Sequence, residues 1–279
     1  MSNNNGEREH SALWRALLYI QNHLDDPLSL EEISALAGYS PFHFHRLFKK
    51  FSGESPKTYI RRLRLESAAF RLKTGSEPIT DIAFGSGFFT HESFTRAFAK
   101  AFGMTPSRYK DSSIPTVSGA HVNKIEKVYF QKRNCIFIRH LGCYESSGLP
   151  GDRNSLWRKL AARLSTSTKS LHDLELFGIC HDDPSITPAA RIRYDTAIAL
   201  GQEQHQNTTL VIPAGFYLKA NHVSGFRDLT DSYHYLIYHW CASYSVRIDG
   251  HRSLFEQFVL NKDDDSLQCI KIFIPIEQN

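Results

Sequence analysis

Two segments of this chain, about fifty residues apart, repeat one pattern of residues. The first segment carries Ile33, the turn Gly38-Tyr39-Ser40, Phe44, Arg46, Phe48 and Gly53, and the second carries Ile82, the turn Gly87-Phe88-Phe89-Thr90, Phe94, Arg96, Phe98 and Gly103. Such a repeat indicates that one supersecondary unit is used twice. Each copy predicts a helix, a short turn that contains glycine, and a second helix, which is the helix-turn-helix pattern.

Helix-capping residues predict where the helices of this half begin. Ser29 and Glu32 form a capping box. Ser40, Ser55 and Thr105 each precede a proline, which is favoured at the first position of a helix. We therefore predict seven helices, which include Ser11–Leu24, Pro41–Ser52, Pro56–Thr74 and Thr90–Phe102.

The second half of the chain predicts a different architecture. Residues 112–119 have the serine, proline and glycine content of a linker. Beyond them, short β-branched runs bounded by turns predict strands at 135–138, 196–200 and 270–274, and helical stretches interrupt these near 155–164 and 229–242. Similar residues at His140 and His222 precede the two stretches, and Trp157 and Tyr233 lie early in them, which predicts that this half is also duplicated.

We therefore predict two domains: an all-α double helix-turn-helix domain of seven helices, and an α+β domain whose two pseudo-symmetric halves share an antiparallel sheet. The predicted bounds are residues 8–111 for the first domain, 112–121 for a linker and 122–279 for the second. A chain of 279 residues, 41 % of them hydrophobic, is long enough for two such cores.

Composition also bears on where the protein works. No apolar run approaches the roughly 20 residues of a membrane span, and the polar start Met1–Gly6 lacks the layout of a signal peptide. The five cysteines are scattered and form no C-x-x-C pair, which is typical of reduced thiols. We therefore expect a cytoplasmic protein with no membrane partner.

Positive charge is concentrated in one segment. From Arg46 to Lys73 the chain has nine Lys and Arg against two Glu, whereas the net charge of the whole chain is only +4. A basic stripe confined to one segment indicates a polyanionic partner. The alternative is a solvated helix face, and charge alone does not decide between the two.

The second helix of each copy has an apolar and a polar face. Apolar side chains at helical spacing predict the buried face, which consists of Phe44, Leu47, Phe48 and Phe51 in the first copy and of Phe94, Ala97, Phe98 and Ala101 in the second. The opposite faces are the two predicted recognition faces, with Phe42, His45, Arg46 and Lys49 on the first and His91, Glu92, Thr95 and Arg96 on the second. These side chains can hydrogen-bond base edges or contact thymine methyl groups in the major groove. Either face alone would be ordinary solvated surface, but their duplication behind two matched turns predicts binding to double-stranded DNA.

The helix between the two copies has a length that suits this function. Residues 56–73 span about 27 Å as a helix, which is near the ~34 Å between successive major-groove faces on one side of B-DNA. Arg61 and Arg62 on this helix are predicted to contact phosphate, which positions a protein without reading the sequence. Solvated surface is an equally good interpretation of either arginine. Because the two recognition faces differ, we expect a DNA site of two different boxes.

Residues 11–110 resemble the DNA-binding domain of the AraC/XylS family of bacterial transcription regulators. The matching residues of the second copy are Ile82-Ala83, Gly87-Phe88, Phe94, Arg96, Phe98, Gly103, Pro106 and Tyr109. The resemblance implies asymmetric DNA sites near promoters and an activator that contacts RNA polymerase. It places base-reading positions at Phe42, His45 and Arg46 and at His91, Glu92 and Arg96.

From about Val122 the chain resembles the GyrI-like effector-binding domain, which also occurs in multidrug-sensing regulators. The matching strings are His140-Leu141-Gly142-Cys143-Tyr144, Asp182-Asp183-Pro184, Arg193-Tyr194-Asp195, Pro213-Ala214-Gly215-Phe216-Tyr217 and Phe255-Glu256-Gln257-Phe258. Ala214 stands where the family often has a second glycine. The resemblance implies a carboxylate in an aromatic pocket that binds a small-molecule effector, and this carboxylate falls on Glu256.

A lone glutamate beside aromatic residues is costly to bury in its ionised form. Glu256 would therefore favour an organic cation, with ring faces such as those of Tyr144, Tyr194 and Trp240 around the ligand. The alternative interpretation is that Glu256 points to solvent from a strand.

No pattern in the sequence predicts a cofactor, a metal ion or a catalytic centre. The pairs His140/Cys143 and Cys180/His181 lack the spacing of a closed metal site, and nucleotide-binding and nucleophile-elbow motifs are missing. The sequence thus predicts a transcription activator controlled by a small amphipathic, cationic molecule. Some relatives of the GyrI-like domain are reported to hydrolyse small reactive compounds with a pocket glutamate. Hydrolysis or sequestration of such compounds is therefore the alternative function of the second domain.

Overall fold

A computed structural model describes residues 2–152, 154–164, 170–200 and 210–278, with the backbone alone for residues 2–8 and 145. The chain divides into two compact units, Met1–Ser112 and Ser113–Asn279. The first unit is helical, and the second is built on a single sheet.

The first unit contains seven helices within its described residues. They are α1 (Ser2–Asn22), α2 (Leu30–Leu36), α3 (Pro41–Ser52), α4 (Pro56–Thr74), α5 (Ile79–Gly85), α6 (His91–Phe102) and α7 (Pro106–Asp111). The side chains of Ser29, Ser40, Ser55 and Thr105 each accept a hydrogen bond from the backbone N–H three residues later, as N-caps do. The predicted all-α fold is confirmed, although α1 begins well before the predicted start at Ser11.

The turns of the two helix-turn-helix motifs have the same backbone geometry. Gly38 has φ +75° and Gly87 has φ +73°, a left-handed conformation that side chains other than glycine rarely adopt. The N–H of Gly38 donates to the carbonyl of Ala35, and that of Gly87 donates to the carbonyl of Phe84, both at 2.9 Å. The repeated glycine is therefore required by the turn itself.

The cores of the two motifs are also equivalent. In each recognition helix two phenylalanines one turn apart are fully buried, with 5.5 Å between their ring centroids: Phe44 and Phe48 in α3, and Phe94 and Phe98 in α6. A tyrosine from the next helix packs edge-on against the second ring of each pair, Tyr59 at 5.4 Å from Phe48 and Tyr109 at 5.3 Å from Phe98. This shared packing fixes which face of each helix points outward.

The second unit is built on an eight-stranded antiparallel sheet. The strands are β1 (Val122–Phe130), β2 (Arg133–Leu141), β3 (Leu176–Cys180), β4 (Arg193–Ala199), β5 (Leu210–Ile212), β6 (Gly215–His222), β7 (Leu254–Leu260) and β8 (Leu267–Pro275). Their order across the sheet is β1-β6-β8-β7-β3-β4-β2-β5. The strands β1 to β4 of the first half correspond, in chain order, to β5 to β8 of the second half. When each strand is replaced by its counterpart and the sheet is read from the opposite edge, the same order results. The two predicted halves are therefore related by a pseudo-twofold axis between β3 and β7.

Helices follow the second strand of each half. They are α8 (Leu156–Ala161) in the first half and α9 (Leu229–His234) in the second, and α9 continues through a π-helix (Tyr235–Trp240) into α10 (Cys241–Ser243). Trp157 of α8 is fully buried, and its indole N–H donates to the carbonyl of Phe177 at 3.2 Å. The predicted α+β fold of two similar halves that share an antiparallel sheet is thus confirmed.

The sheet of the second unit is strongly curled. Phe130 belongs to the edge strand β1, yet its ring lies 6.1 Å from that of Phe177 in β3, which is the fifth strand from that edge. It also lies 4.8 Å from the ring of Phe255 and 5.4 Å from that of Phe273. This aromatic core fills the inside of the curl, so Phe255 belongs to the core rather than to a binding pocket.

The packing of α3 generates a stability prediction. Phe44→Ala should lower the free energy of unfolding by about 3–5 kcal/mol, because a fully buried aromatic ring is removed. Phe42→Ala on the same helix is the matched control, because the side chain of Phe42 is 74 % exposed, and its effect should stay within about 0.5 kcal/mol. Urea unfolding of both variants provides the measurement, and similar losses in both would contradict this assignment of the two faces.

Candidate functional site

The first recognition face is fully accessible. Phe42 is 74 % exposed, and His45, Arg46 and Lys49 are exposed along the same side of α3. Phe44 and Phe48 anchor the opposite side in the core. A basic helix face with one apolar side chain at its beginning is thus available to a partner.

The second recognition face is accessible at three of its four predicted positions. His91, Glu92 and Arg96 are exposed on α6. Hydrogen bonds from its own backbone N–H and from the hydroxyl of Thr90 lower the pKa of Glu92, so this side chain is anionic at neutral pH. Thr95 is half-buried, and its Oγ1 is enclosed by protein without a hydrogen-bond partner among the described residues. The hydroxyl of Thr95 therefore does not form part of this surface.

The two arginines predicted to contact phosphate have different environments. Arg61 is exposed, and its guanidinium lies over the ring of Phe88 at 5.9 Å. Arg62 is paired with two carboxylates, at 2.6 Å from Glu54 and 3.1 Å from Glu66, and its side chain is only 17 % exposed. These contacts hold the guanidinium of Arg62 against the unit and favour a structural role, whereas its contact with phosphate stays a prediction.

A buried carboxyl group lies at the centre of the second unit. Glu256 is 3 % exposed on β7, opposite Gly178 of β3. The hydroxyl of Tyr194 donates to its Oε2 at 2.7 Å, and the thiol of Cys180 donates to its Oε1 at 3.4 Å. The hydroxyl oxygen of Tyr233, from α9, lies 3.8 Å from the sulfur of Cys180. These four side chains, Glu256, Tyr194, Cys180 and Tyr233, form the Glu256 cluster.

Burial dominates the electrostatics of this cluster. It raises the pKa of Glu256 to about 7, although hydrogen bonds from Tyr194, Cys180 and Tyr233 act in the opposite direction. The alternative interpretation that Glu256 points to solvent is therefore wrong. At neutral pH this group lies between its protonated and ionised forms, so a bound charge would decide which form dominates.

The lack of a side chain at residue 178 makes room for the cluster. A methyl group at Gly178 would overlap the hydroxyl of Tyr194 and would lie 2.8 Å from Oε2 of Glu256. Gly178, Cys180 and Tyr233 were not predicted as site residues. For Tyr233 a signal existed, since it lies in the helix of the second half that corresponds to the helix of Trp157, whose ring lies 6.3 Å from that of Tyr194.

The other two predicted aromatic residues differ in position. Tyr144 packs edge-on against Tyr194 at 5.4 Å, its hydroxyl donates to the carbonyl of Asp182, and burial raises its pKa well above the usual value. The ring of Trp240 stacks on the ring of Tyr244 at 4.5 Å rather than on a ring of the Glu256 cluster. The structure thus joins Tyr144 and Tyr194 to Glu256, and it leaves Trp240 outside the cluster.

A second buried carboxylate provides a contrast. Asp195 lies within hydrogen-bond distance of Arg139, with Oδ1 2.6 Å from Nε and Oδ2 2.5 Å from Nη2, and its Oδ2 is 2.7 Å from Nε2 of His181. Although burial opposes ionisation, these partners hold the pKa of Asp195 well below its usual range. Among the described residues, by contrast, no lysine or arginine forms an ion pair with Glu256. Glu256 is therefore a buried carboxyl whose partners among the described residues are hydrogen-bond donors rather than cations.

In the described part of the chain, the His, Cys, Asp and Glu side chains form no group of three or more that could hold a metal ion. None of its helices is both long enough and apolar enough to cross a membrane.

Comparison with protein families matches both units. The profile of the GyrI-like small molecule binding domain matches residues 123–277, which is more than half of the chain. The profile of a helix-turn-helix domain matches residues 33–112.

Similar curated proteins match in a shorter region. Transcriptional regulator Rob of Salmonella typhimurium is 44 % identical over 97 residues, which are 35 % of this chain and 34 % of Rob. The Tn10 TetD protein of Escherichia coli is 38 % identical over 105 residues, 38 % of this chain and 76 % of TetD. The multiple antibiotic resistance protein MarA of Salmonella typhimurium is 39 % identical over 92 residues, 33 % of this chain and 72 % of MarA. The chain thus spans about a third of the length of Rob and more than two thirds of TetD and MarA.

The raised pKa of Glu256 predicts how stability changes with pH. The folded protein holds this proton up to about pH 7, whereas the unfolded chain loses it near pH 4.5, so the contribution of this group to stability falls as pH rises between these values. Between pH 5 and pH 8 the free energy of unfolding of the wild type should therefore fall by about 2–3 kcal/mol more than that of Glu256→Gln, whose side chain does not ionise. Urea unfolding at both pH values tests this difference, and equal losses in the two proteins would show that the carboxyl is not desolvated.

Proposed function

Because the chain belongs to the AraC/XylS family of transcription regulators through its helix-turn-helix unit and to the GyrI-like family through its second unit, we propose that it is a sequence-specific DNA-binding regulator controlled by a small molecule. The observation that carries this proposal is the pair of exposed recognition faces behind two turns of equal geometry. The proposal assigns DNA binding to residues 8–111 and ligand binding to residues 122–279, with residues 112–121 as the linker.

The two recognition helices would occupy successive major grooves. Phe42, His45, Arg46 and Lys49 would contact one box, and His91, Glu92 and Arg96 would contact the other. The 19-residue helix α4 between them is about 28 Å long, which supports a spacing of one DNA turn. Arg61 is proposed to contact phosphate, because it is exposed on this helix.

The family supplies the remaining parts of this proposal. An activator that contacts RNA polymerase in the cytoplasm is what the AraC/XylS resemblance implies.

The ligand that suits the second unit is a small organic cation. Glu256 is buried without a positive partner among the described residues, and a cation would favour its ionised form. Tyr194 and Tyr144 contribute aromatic rings to the same region, and ring faces attract cations. Because such a ligand must also be apolar to enter a site between packed aromatic side chains, a lipophilic cation is the proposed class.

Contacts of α9 support a route by which the ligand could change DNA binding. Tyr233 of this helix belongs to the Glu256 cluster. In the π-helix that follows, the ring of Tyr235 lies against Gly119, and Nε2 of His239 is 3.1 Å from the carbonyl oxygen of Pro115. π-Helices occur frequently at functional sites. A ligand that moves Tyr233 would therefore act on residues 115–119, the segment that follows the DNA-binding unit in the chain.

Hydrolysis by the second unit is a second candidate function, and one observation favours it. A carboxyl group whose pKa is about 7 suits general acid–base catalysis at neutral pH. Incubation with small electrophiles such as epoxides tests this candidate, since turnover that is lost in Glu256→Gln would support an enzyme. Binding of a cation without any turnover would support the sensor.

The DNA-binding proposal predicts a specific role for Arg96. Arg96→Ala should weaken binding to the preferred DNA sequence by about 1–3 kcal/mol and spare binding to unrelated DNA, because the lost contact is to a base edge. Lys100→Ala is the matched control, since it removes a positive charge from the exposed side of the same helix without removing a proposed base contact. Mobility-shift titrations measure both variants on both DNAs, and an equal loss for Arg96→Ala on the two DNAs would make Arg96 a phosphate contact.

The ligand proposal predicts that cation binding depends on the charge of Glu256. Tetraphenylphosphonium should bind the wild type more tightly as pH rises through about 7, because the carboxylate forms over this range. Glu256→Gln should abolish this binding in calorimetry. The exposed Glu126→Gln is the control and should bind as the wild type does. Unchanged affinity in Glu256→Gln would exclude the carboxylate from the ligand site.

A further inference from the structure

The two helix-turn-helix repeats differ in length at one position in the turn. Gly87 lies 49 positions after Gly38, and both glycines have the same left-handed conformation. The N-cap Thr90, however, lies 50 positions after the N-cap Ser40, and the 50-residue offset then continues through the recognition helices. The second copy therefore contains one additional residue between turn and helix, and this residue is Phe89.

The additional residue projects from the turn. After the turn glycine, the N–H of Tyr39 donates to Ser34 at 3.0 Å in the first copy, and that of Phe88 donates to Ala83 at 3.2 Å in the second. Phe88 thus occupies the place of Tyr39, and the insertion displaces only Phe89. At 95 % exposure, Phe89 is the most exposed large apolar side chain among the described residues.

The position of Phe89, rather than its exposure alone, indicates a role. Single exposed apolar residues are common on protein surfaces. Phe89, however, immediately precedes the N-cap of α6, and the exposed His91 and Glu92 follow within three residues. The N-terminal residues of a recognition helix are those that contact base edges. Phe42 supplies an exposed phenyl ring at the same end of α3. Each recognition helix therefore has an exposed phenyl ring at its N-terminal end.

We propose that Phe89 is a further specificity-determining residue, which contacts the 5-methyl group of a thymine at the edge of the box bound by α6. This inference rests on the proposed DNA-binding function. A phenyl ring has no hydrogen-bonding group, and the thymine methyl is the apolar group that base pairs present in the major groove. The chemistry of the side chain therefore selects this base among the four.

The charges around the turn favour DNA over a protein as the partner of Phe89. The guanidinium of Arg61 lies over the ring of the adjacent Phe88 at 5.9 Å. The guanidinium of Arg64 lies against Gly87 in the same turn. In the major groove of DNA, thymine methyl groups lie between two rows of backbone phosphates. The arginines suit the phosphates, and the apolar ring beside them suits a methyl group.

Deoxyuridine substitution tests the contact, because it removes only the methyl group of thymine. The preferred sequence is first selected from random DNA, and each thymine in the box bound by α6 is then replaced singly. In the wild type, replacement of the contacted thymine should weaken binding about fourfold, the effect of exposing one buried methyl group. In Phe89→Ala the same replacement should leave the affinity unchanged. In Phe89→Leu, which keeps an apolar side chain, deoxyuridine should still cause most of the loss of affinity seen with the wild type.

Phe84→Ala is the matched control, because Phe84 is also an exposed phenylalanine, at 57 %, but it lies on α5. This variant should show the wild-type response to deoxyuridine. A response of Phe89→Ala equal to that of the wild type at every thymine would overturn the contact. If Phe89→Ala gave this result and also failed to activate transcription by purified RNA polymerase, Phe89 would be assigned to a protein partner instead. Failure to select any preferred sequence would contradict the proposed function itself, and the contact with it.

Discussion

The geometry of the first unit depends on the burial of α4 between the two helix-turn-helix motifs. At its start, Tyr59 and Leu63 join the core formed with α1, α2 and α3, and further along the helix contacts α5, α6 and α7. Arg64 reinforces this position, since its guanidinium donates to the carbonyls of Leu24 and Asp26 at 2.7 Å and lies against Gly87. Because one rigid helix contributes to both cores, the separation of the two recognition faces is set by the protein before DNA is bound.

The second unit depends on a different constraint, a carboxyl group that is buried without a counter-charge among the described residues. Asp195 shows what a paired carboxylate looks like in the same sheet, with Arg139 and His181 as its partners. Glu256 has hydrogen-bond donors alone, so its ionisation is held back by burial. A ligand can shift a conformational equilibrium only through differential affinity for the two states. A cation whose affinity depends on the position of Tyr233 would meet this condition.

Local signals made the first unit predictable, and non-local pairing limited what could be predicted for the second. The caps and the buried phenylalanines follow from spacing along the chain. The pairing of Arg62 with Glu54 depends on how the turn before α4 folds, so spacing along the chain did not predict it. Gly178 and Cys180 meet Glu256 only because β3 pairs with β7, and strand order is not encoded by the pattern of any one strand. The residues alone favoured a solvent-exposed Glu256, and the family resemblance left burial and exposure equally favoured, so the buried position came from the structure.

Selection of bound sequences from a random pool of double-stranded DNA, with the purified full-length chain, tests the central claim most directly. The fixed spacing set by α4 and the different side chains of the two recognition faces predict two unlike boxes, with centres about 10 base pairs apart on one side of the DNA. A palindrome would indicate instead that two copies of the chain each use one face. A single short box, with no preference one turn away, would contradict the account, because only one of the two recognition helices would then be contacting bases.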